Sequence, residues 1–240
     1  MKNEFEINLT PSVMDLKVIE MWLKEEDKKH KFGFYCNWNI IEKSFKSNKL
    51  ISFELNKSVI GFLIYSIGDI YIEIDIMEVH HNYRRNGFGK IFFEKIEDVF
   101  KKQKILAIKL FCEPRESEHF WRKMGFIKFP DRGYSESDLT FYKPIIEVQA
   151  STEIPNSLNK LELWDVEPYQ ATNTNPCWRW DIELENEKLI KPIIQPCNIN
   201  WNLRWTKNGK IVKEDKVKYF SNSDNPIEFS PFMYVEQLKE

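Results

Sequence analysis

The chain is short of several things, and each shortage closes a class of function. Only four of its 240 residues are cysteine (Cys36, Cys112, Cys177 and Cys197), and no CxxC pair occurs. A zinc ribbon or a dithiol redox motif is therefore excluded, and reduced thiols are the expected state. A Cys177–Cys197 bridge is disfavoured for the same reason, since disulfides are rare in the cytosol. The formal net charge is only −2, which gives no global attraction to nucleic acid or anionic membrane. There is no run of about 18 apolar residues, so no membrane span is expected. The opening MKNEFEINLTPSVMD lacks the apolar core of a secretory signal, which makes a cytoplasmic location the expectation. Glycine is scarce as well: there are eight, and two of them, Gly87 and Gly89, stand in one turn.

Against these shortages stands a hydrophobic content of 42%, enough to build a core in one large domain or two ordinary ones. The first half alternates strand and helix patterns. FEINL reads as a strand. Ser12 is a good N-cap for a helix that spaces Val13, Leu16, Ile19, Trp22 and Leu23 on one side. A second helix is expected over about Asn39–Lys46. LISFEL, SVIGFLIYSI and DIYIEIDIMEV are β-rich runs joined at Asn56-Lys57 and Gly68-Asp69, which predicts an antiparallel meander. Gly87–Lys102 reads as a helix burying Ile91, Phe92, Ile96, Val99 and Phe100. ILAIKLFC is apolar on both faces, as a covered central strand requires. SEHFWRKMGF reads as a short helix ending at Gly125, and DLTFYKPI as a last strand.

Beyond Pro144 the character changes. Residues 147–160 have few large apolar side chains and read as a linker, which places domain boundaries at 1–146 and 161–240. Five of the eight tryptophans (Trp164, Trp178, Trp180, Trp201 and Trp205) fall after it, in short alternating runs separated by turn residues. That pattern predicts a small all-β sandwich or barrel. Its tryptophans suit a core or packing surface, and a stacking platform for sugars or nucleobases would use the same residues. Residues 149–240 hold 11 basic and 14 acidic groups, against 24 and 23 before them. Acidic groups beside the tryptophans oppose a nucleic-acid reading.

The stretch EVHHNYRRNGFGKIFFEKIEDVF allows three readings: an anion-binding turn, a metal site on His80 and His81, or a plain strand-to-helix connection. Helix N-termini leave N–H groups unpaired, and glycines let a pyrophosphate approach the backbone. Arg84, Arg85 and Lys90 add attractive charge. The G-x-G-x-x-G spacing of dinucleotide folds is absent. Adjacent strand residues point to opposite faces, so His80 and His81 are not expected to share a metal. No metal is expected elsewhere either.

MEVHHNYRRNGFGK resembles the acetyl-coenzyme A signature of the GNAT N-acetyltransferase superfamily, with Arg84, Gly87 and Gly89 in its Arg/Gln-x-x-Gly-x-Gly/Ala places and Val79 at the strand end. EHFWRKMGF resembles the family's F-Y-x-x-x-G-F segment through Phe120, Gly125 and Phe126. The order of elements over about residues 1–145 is similar too. The resemblance implies a mixed α/β (α+β) fold, a mostly antiparallel sheet flanked by helices, with the C-terminal β-domain outside it. It implies that the turn Arg84, Arg85, Asn86, Gly87, Phe88, Gly89 and Lys90 holds a pyrophosphate. Met77 and Val79 would offer main-chain bonds to the pantetheine arm, and Ser117, Phe120 and Trp121 would flank the far end of acetyl-CoA.

Acetyl transfer needs an uncharged amine, hence a base. Glu73 falls where histone-acetyltransferase members of the superfamily place a catalytic glutamate. Period 2 puts Glu73, Asp75 and Met77 on one strand face, opposite Ile72, Ile74 and Ile76. Glu73 is the first candidate and Asp75 the second. Trp121 stands where many members carry a tyrosine that protonates the leaving thiolate, and indole is a very poor acid; Tyr134, Tyr142 or water would have to replace it. Two functions follow as expectations. One is N-acetylation of a small-molecule or protein amine, with aminoacyl-tRNA a less supported acceptor and a homodimer compatible with either. The other is a catalytically degenerate acyl-CoA scaffold whose β-domain engages a protein partner.

Overall fold

The computed structural model describes residues 4–30, 33–134 and 136–239. Two compact units divide the chain: Met1–Ile127 with Leu139–Ile145, and Lys128–Asp138 with Ile146–Glu240. Among the described residues no helix is long and apolar enough to cross a membrane.

The first unit runs β1 (Phe5–Asn8), α1 (Val13–His30), α2 (Trp38–Lys46), β2 (Leu50–Leu55), β3 (Ser58–Ile67), β4 (Tyr71–Val79), α3 (Phe88–Lys102), β5 (Ala107–Phe111), α4 (Glu118–Lys123), β6 (Ile127–Lys128) and β7 (Thr140–Pro144). Ser12 caps α1 reciprocally with Asp15: Asp15 N–H donates to Ser12 Oγ (3.2 Å) and Ser12 N–H donates to Asp15 Oδ2 (2.7 Å). Asn56 and Lys57 both take positive φ (50° and 66°), as a two-residue hairpin turn demands. The sheet order is β1-β2-β3-β4-β5-β7-β6. From β1 to β7 every pair is antiparallel except β4–β5, which is parallel.

Each face of this sheet has its own core. Leu16, Ile19 and Leu23 of α1 and Ile41 of α2 pack on Leu50, Phe62, Ile64 and Ile76. On the other face α3 packs Phe92, Phe93, Ile96 and Phe100 against Phe53, Leu63, Ile72 and Ile74. Val99 and Ile91, expected inside, are only partly buried, whereas Phe93 is covered through edge-on contact with Trp121 (5.6 Å).

The second unit is a sandwich. One sheet orders β13 (Lys210–Lys216), β12 (Asn202–Lys207), β8 (Lys160–Leu163) and β9 (Trp178–Asp181). The other orders β10 (Leu184–Glu185), β11 (Lys188–Pro196), β15 (Phe232–Gln237) and β14 (Glu228–Phe229). The short helix α5 (Pro168–Ala171) follows β8. Leu161, Trp180, Leu203 and Trp205 of the first sheet share one core with Leu189, Ile193, Met233 and Val235 of the second. Trp164, Trp180, Trp201 and Trp205 are buried, so these rings form core and not a stacking platform. All four cysteines are free thiols.

Candidate functional site

Pairing between β4 and β5 stops at Ile74–Leu110, while β3 stays with β4 as far as Val79. The two central strands therefore part, and the last five residues of β4 border an open cleft. A cavity of about 370 Å³ lies there, with Met77 and Val79 on one wall and Leu110, Ser117, Phe120 and Trp121 on the other.

A β-bulge shapes the cleft wall. Ile64 pairs with Ile76 but Tyr65 pairs with Ile74, so Asp75 is the unpaired extra residue. Before it, Ile72 and Ile74 face α3; after it, Ile76 faces α1 and α2, while Met77 and Val79 face α3. This corrects the simple alternation that grouped Glu73, Asp75 and Met77. Glu73 does not border the cleft, and its carboxylate is held by Lys109 Nζ at 3.0 and 3.1 Å. Asp75 does border it. Its pKa is pushed up to about 6, first by partial loss of water around the carboxyl and then by the Glu73 charge, with the nearby Ser66 hydroxyl and Lys109 pulling it back.

Backbone polarity along this edge follows from the antiparallel ladder. His80 N–H donates to Ile60 O (2.9 Å), so Glu78 and Ile76 also bond towards β3, and Val79 and Met77 turn their polar groups to the cleft. Val79 is already engaged. Its N–H donates to Glu78 Oε1 (3.2 Å), and its carbonyl accepts from Arg84 Nε (2.8 Å). Among the described residues Met77 is the one on this edge whose N–H and C=O have no hydrogen-bond partner, while both groups of Val79 are engaged.

The turn into α3 offers the anion site. None of the backbone N–H groups from Arg85 to Gly89 is bonded within the described structure. Gly87 has φ +80° as the N-cap, a conformation a side chain strains. Gly89 is different. A Cβ there would meet only the Phe120 ring at 3.5 Å, an ordinary contact, so the protein itself has room for a side chain. Space above Gly89 is needed only if a ligand occupies it. The Asn86 side-chain amide donates to Arg84 O (3.1 Å) and ties the turn, and Phe88 packs edge-on to Phe5 (5.1 Å). Arg85 and Lys90 are exposed cations, and Lys90 lies 3.7 Å from Glu94. Ser117 Oγ is buried on the cleft wall beside the Cys112 thiol, its one close polar neighbour among the described residues, and its hydroxyl can also serve a ligand there. These features fit a pyrophosphate at the turn and a pantetheine amide along the cleft.

Arg84 has partners that the sequence did not point to. Its guanidinium pairs with Glu26 (2.7 Å) and Glu78 (2.7 Å), although the side chain keeps 38% exposure. Glu78 borders both the cleft and an adjoining cavity of about 390 Å³ that adds Glu26 and Cys36 to the walls. Burial raises the Glu78 pKa to about 7; Arg84 lowers it and Glu26 raises it. Neither Glu78 nor Glu26 was singled out from sequence. The bulge that directs Glu78 to this side leaves no trace in the Ile72-Ile74-Ile76 alternation, and Glu26 comes from a different element altogether.

His80 and His81 also depart from expectation. β4 ends at Val79, so the two rings are not held on opposite faces; they stack at 4.4 Å, with His80 against Trp22 at 4.7 Å. Among the described residues no group of three or more His, Cys, Asp or Glu side chains is gathered for a metal. Trp121 is buried on the cleft wall, packed between Phe93, Phe120 and Phe126. Tyr142 is buried in the sheet, where loss of water pushes its pKa up, and does not border the cleft. Tyr134 belongs to the second unit.

Comparison with known proteins was made against this geometry. Residues 15–126 match the model of the Acetyltransferase (GNAT) family, and the second unit's sandwich lies outside the match. Over 113 residues the chain is 31% identical to the uncharacterized N-acetyltransferase ycf52 of Porphyra purpurea. It is 30% identical to the ycf52 protein of Pyropia yezoensis. These matches cover 46% of this chain and 60% of each curated relative's length. Among solved structures, Ard1 from Thermoplasma volcanium is 16% identical, with a TM-score of 0.45 over 61% of this chain and 100% of that one. PaiA N-acetyltransferase from Thermoplasma acidophilum, solved with coenzyme A, is 20% identical, with a TM-score of 0.44 over 60% of this chain and 99% of that one.

Proposed function

With residues 15–126 matching the Acetyltransferase (GNAT) family, we propose that the chain is an acetyl-CoA-dependent N-acetyltransferase acting on a primary amine. The observation that carries this reading is the joined cleft: the unpaired edge of β4, the Met77 N–H and C=O turned towards it, and the N–H groups from Arg85 to Gly89, unbonded among the described residues. The pyrophosphate would take the turn N–H groups, where the positive end of α3 adds to the attraction. Ser117 Oγ would meet an amide of the pantetheine arm. Met77 N–H would polarise the thioester carbonyl and stabilise the oxyanion that grows there.

The acceptor would enter through the adjoining cavity, whose Glu26, Glu78 and Glu113 walls suit an ammonium. Glu78 is the base we favour, with Asp75 second, because both border the cleft and both have a raised affinity for a proton, with pKa values of about 7 and about 6. Glu78 takes one proton from the ammonium, the amine nitrogen bonds to the acetyl carbon, the carbon–sulfur bond breaks, and the nitrogen gives up its second proton as the amide forms. That second proton passes through water to the departing thiolate, since among the described residues neither tyrosine nor histidine borders the cleft.

Thiol release from acetyl-CoA over an amine panel tests this. Turnover is expected to rise with pH through about 7, and Glu78→Gln is expected to lower kcat about 10²-fold or more. Glu73→Gln should stay within a few-fold. Equal losses in Glu73→Gln and Glu78→Gln would overturn the assignment. The scaffold reading draws on Trp121 in the usual tyrosine place. Tight acetyl-CoA binding without turnover on any amine would establish it instead.

A further inference from the structure

Arg84 opens the cofactor signature, yet its side chain does not serve the turn's outer surface. Its Nε donates to Val79 O at 2.8 Å, and its Nη2 is shared between Glu78 Oε1 (2.7 Å) and Glu26, whose oxygens lie at 2.7 and 3.0 Å. Glu26 sits on α1, is 7% exposed, and belongs to no part of the signature. A carboxylate that deeply buried persists only beside a compensating charge and hydrogen bonds. Here one guanidinium compensates two carboxylates. The consequence is geometric: α1, the end of β4 and the cofactor turn are held by one side chain.

We infer that Glu26 is a positioning residue for acetyl transfer, holding Arg84 inward so that the guanidinium fixes Val79 O and is shared with Glu78 instead of saturating it. The inference rests on the proposed role of Glu78 as base. An Arg84 bound to Glu78 alone would form a closed pair, and a carboxylate in a closed pair gives up its affinity for a proton. Glu26 withdraws part of that positive charge and leaves Glu78 basic. The charged groups around Glu78 are Arg84 from the turn, Glu26 from α1, and Glu113 across the shared cavity. His80 feels the Glu26 charge as well. A purely structural ion pair would hold the three elements together without any effect on Glu78.

Glu26→Gln separates the two, because it keeps the shape and a hydrogen-bond acceptor for Arg84 while removing the charge. The full chain is labelled with 13C at glutamate carboxyls, with Glu78→Gln used to assign the Glu78 signal. In the wild type Glu78 is expected to titrate near 7. In Glu26→Gln its midpoint should fall by on the order of one pH unit, and the pH–rate midpoint should fall with it. An unmoved Glu78 midpoint in folded Glu26→Gln would overturn the inference and leave Glu26 structural. If Glu26→Gln does not fold, Glu26→Asp, which keeps the charge, must restore folding with a near-wild-type Glu78 midpoint; a midpoint that falls as for a lost charge overturns it. Failure of the underlying function has a different signature: wild-type protein whose Glu78 shifts as expected but which releases no thiol from acetyl-CoA with any amine.

Discussion

At the scale of single residues, the informative side chains are carboxylates whose proton affinity is raised by their surroundings. Glu78 has a folded pKa of about 7 against an ordinary value of 4.5, and Asp75 about 6 against 3.8. A carboxyl with a raised folded pKa binds a proton more tightly folded than unfolded. Below its unfolded value both states are protonated and the group costs nothing. As pH climbs from 4.5 to about 7 the unfolded state ionises first, so stability falls, by at most about 1.4 kcal/mol per pH unit for each proton. Stability and activity should thus move in opposite directions over this window. Denaturant titration at pH 5 and pH 8 checks it. Glu78→Gln is expected to flatten the loss and be the more stable protein at pH 8, and a slope equal to wild type would refute the raised Glu78 pKa.

At the scale of elements, much of the first unit was legible because local pattern and local structure agree. The Ser12 cap, the Asn56-Lys57 turn and the α3 periodicity are each decided within a few residues. The turn into α3 was legible for the same reason. The bulge was not, since its cause is a mismatch between β3 and β4 that the β4 sequence alone does not record. The tie of Arg84 to Glu26 was not legible either, because it joins α1 to the turn across 58 positions. The turn yields an element-scale prediction. A side chain at Gly89 meets only ordinary contact from Phe120 and lies at no positive φ, so Gly89→Glu should leave the melting temperature nearly unchanged. Its carboxylate would occupy and repel the pyrophosphate position. Wild-type protein should gain about 2.7 kcal/mol from acetyl-CoA at 100 times its dissociation constant, and Gly89→Glu should gain essentially none. A ligand-induced rise equal to wild type would remove the turn from the binding site.

At the scale of the whole molecule, the composition after Pro144 reads as a linker over 147–160 and a β-rich unit from 161, whereas the second unit takes in residues 146–240 together with 128–138. Nothing periodic marks that excursion, and two side chains anchor it: Phe129, buried edge-on to Phe232 (5.8 Å), and Arg132. Arg132 is 11% exposed along its side chain and ion-paired with Glu136. Its Nη1 donates to Cys197 O (3.0 Å) and Pro231 O (3.1 Å), and its guanidinium lies over the rings of Phe129 (5.2 Å) and Tyr134 (5.1 Å). Removing one partner of such a pair leaves a buried charge and two carbonyls without a donor. Arg132→Ala should therefore cost about 3–5 kcal/mol. Arg132→Lys should recover only part of that, because an ammonium cannot reproduce the planar fork that reaches a carboxylate and two carbonyls together. Tryptophan fluorescence reports the loss, since five of the eight tryptophans lie in this unit. An Arg132→Ala midpoint within about 0.5 kcal/mol of wild type, the range of an ordinary surface substitution, would mean that the excursion is held by its aromatic contacts alone.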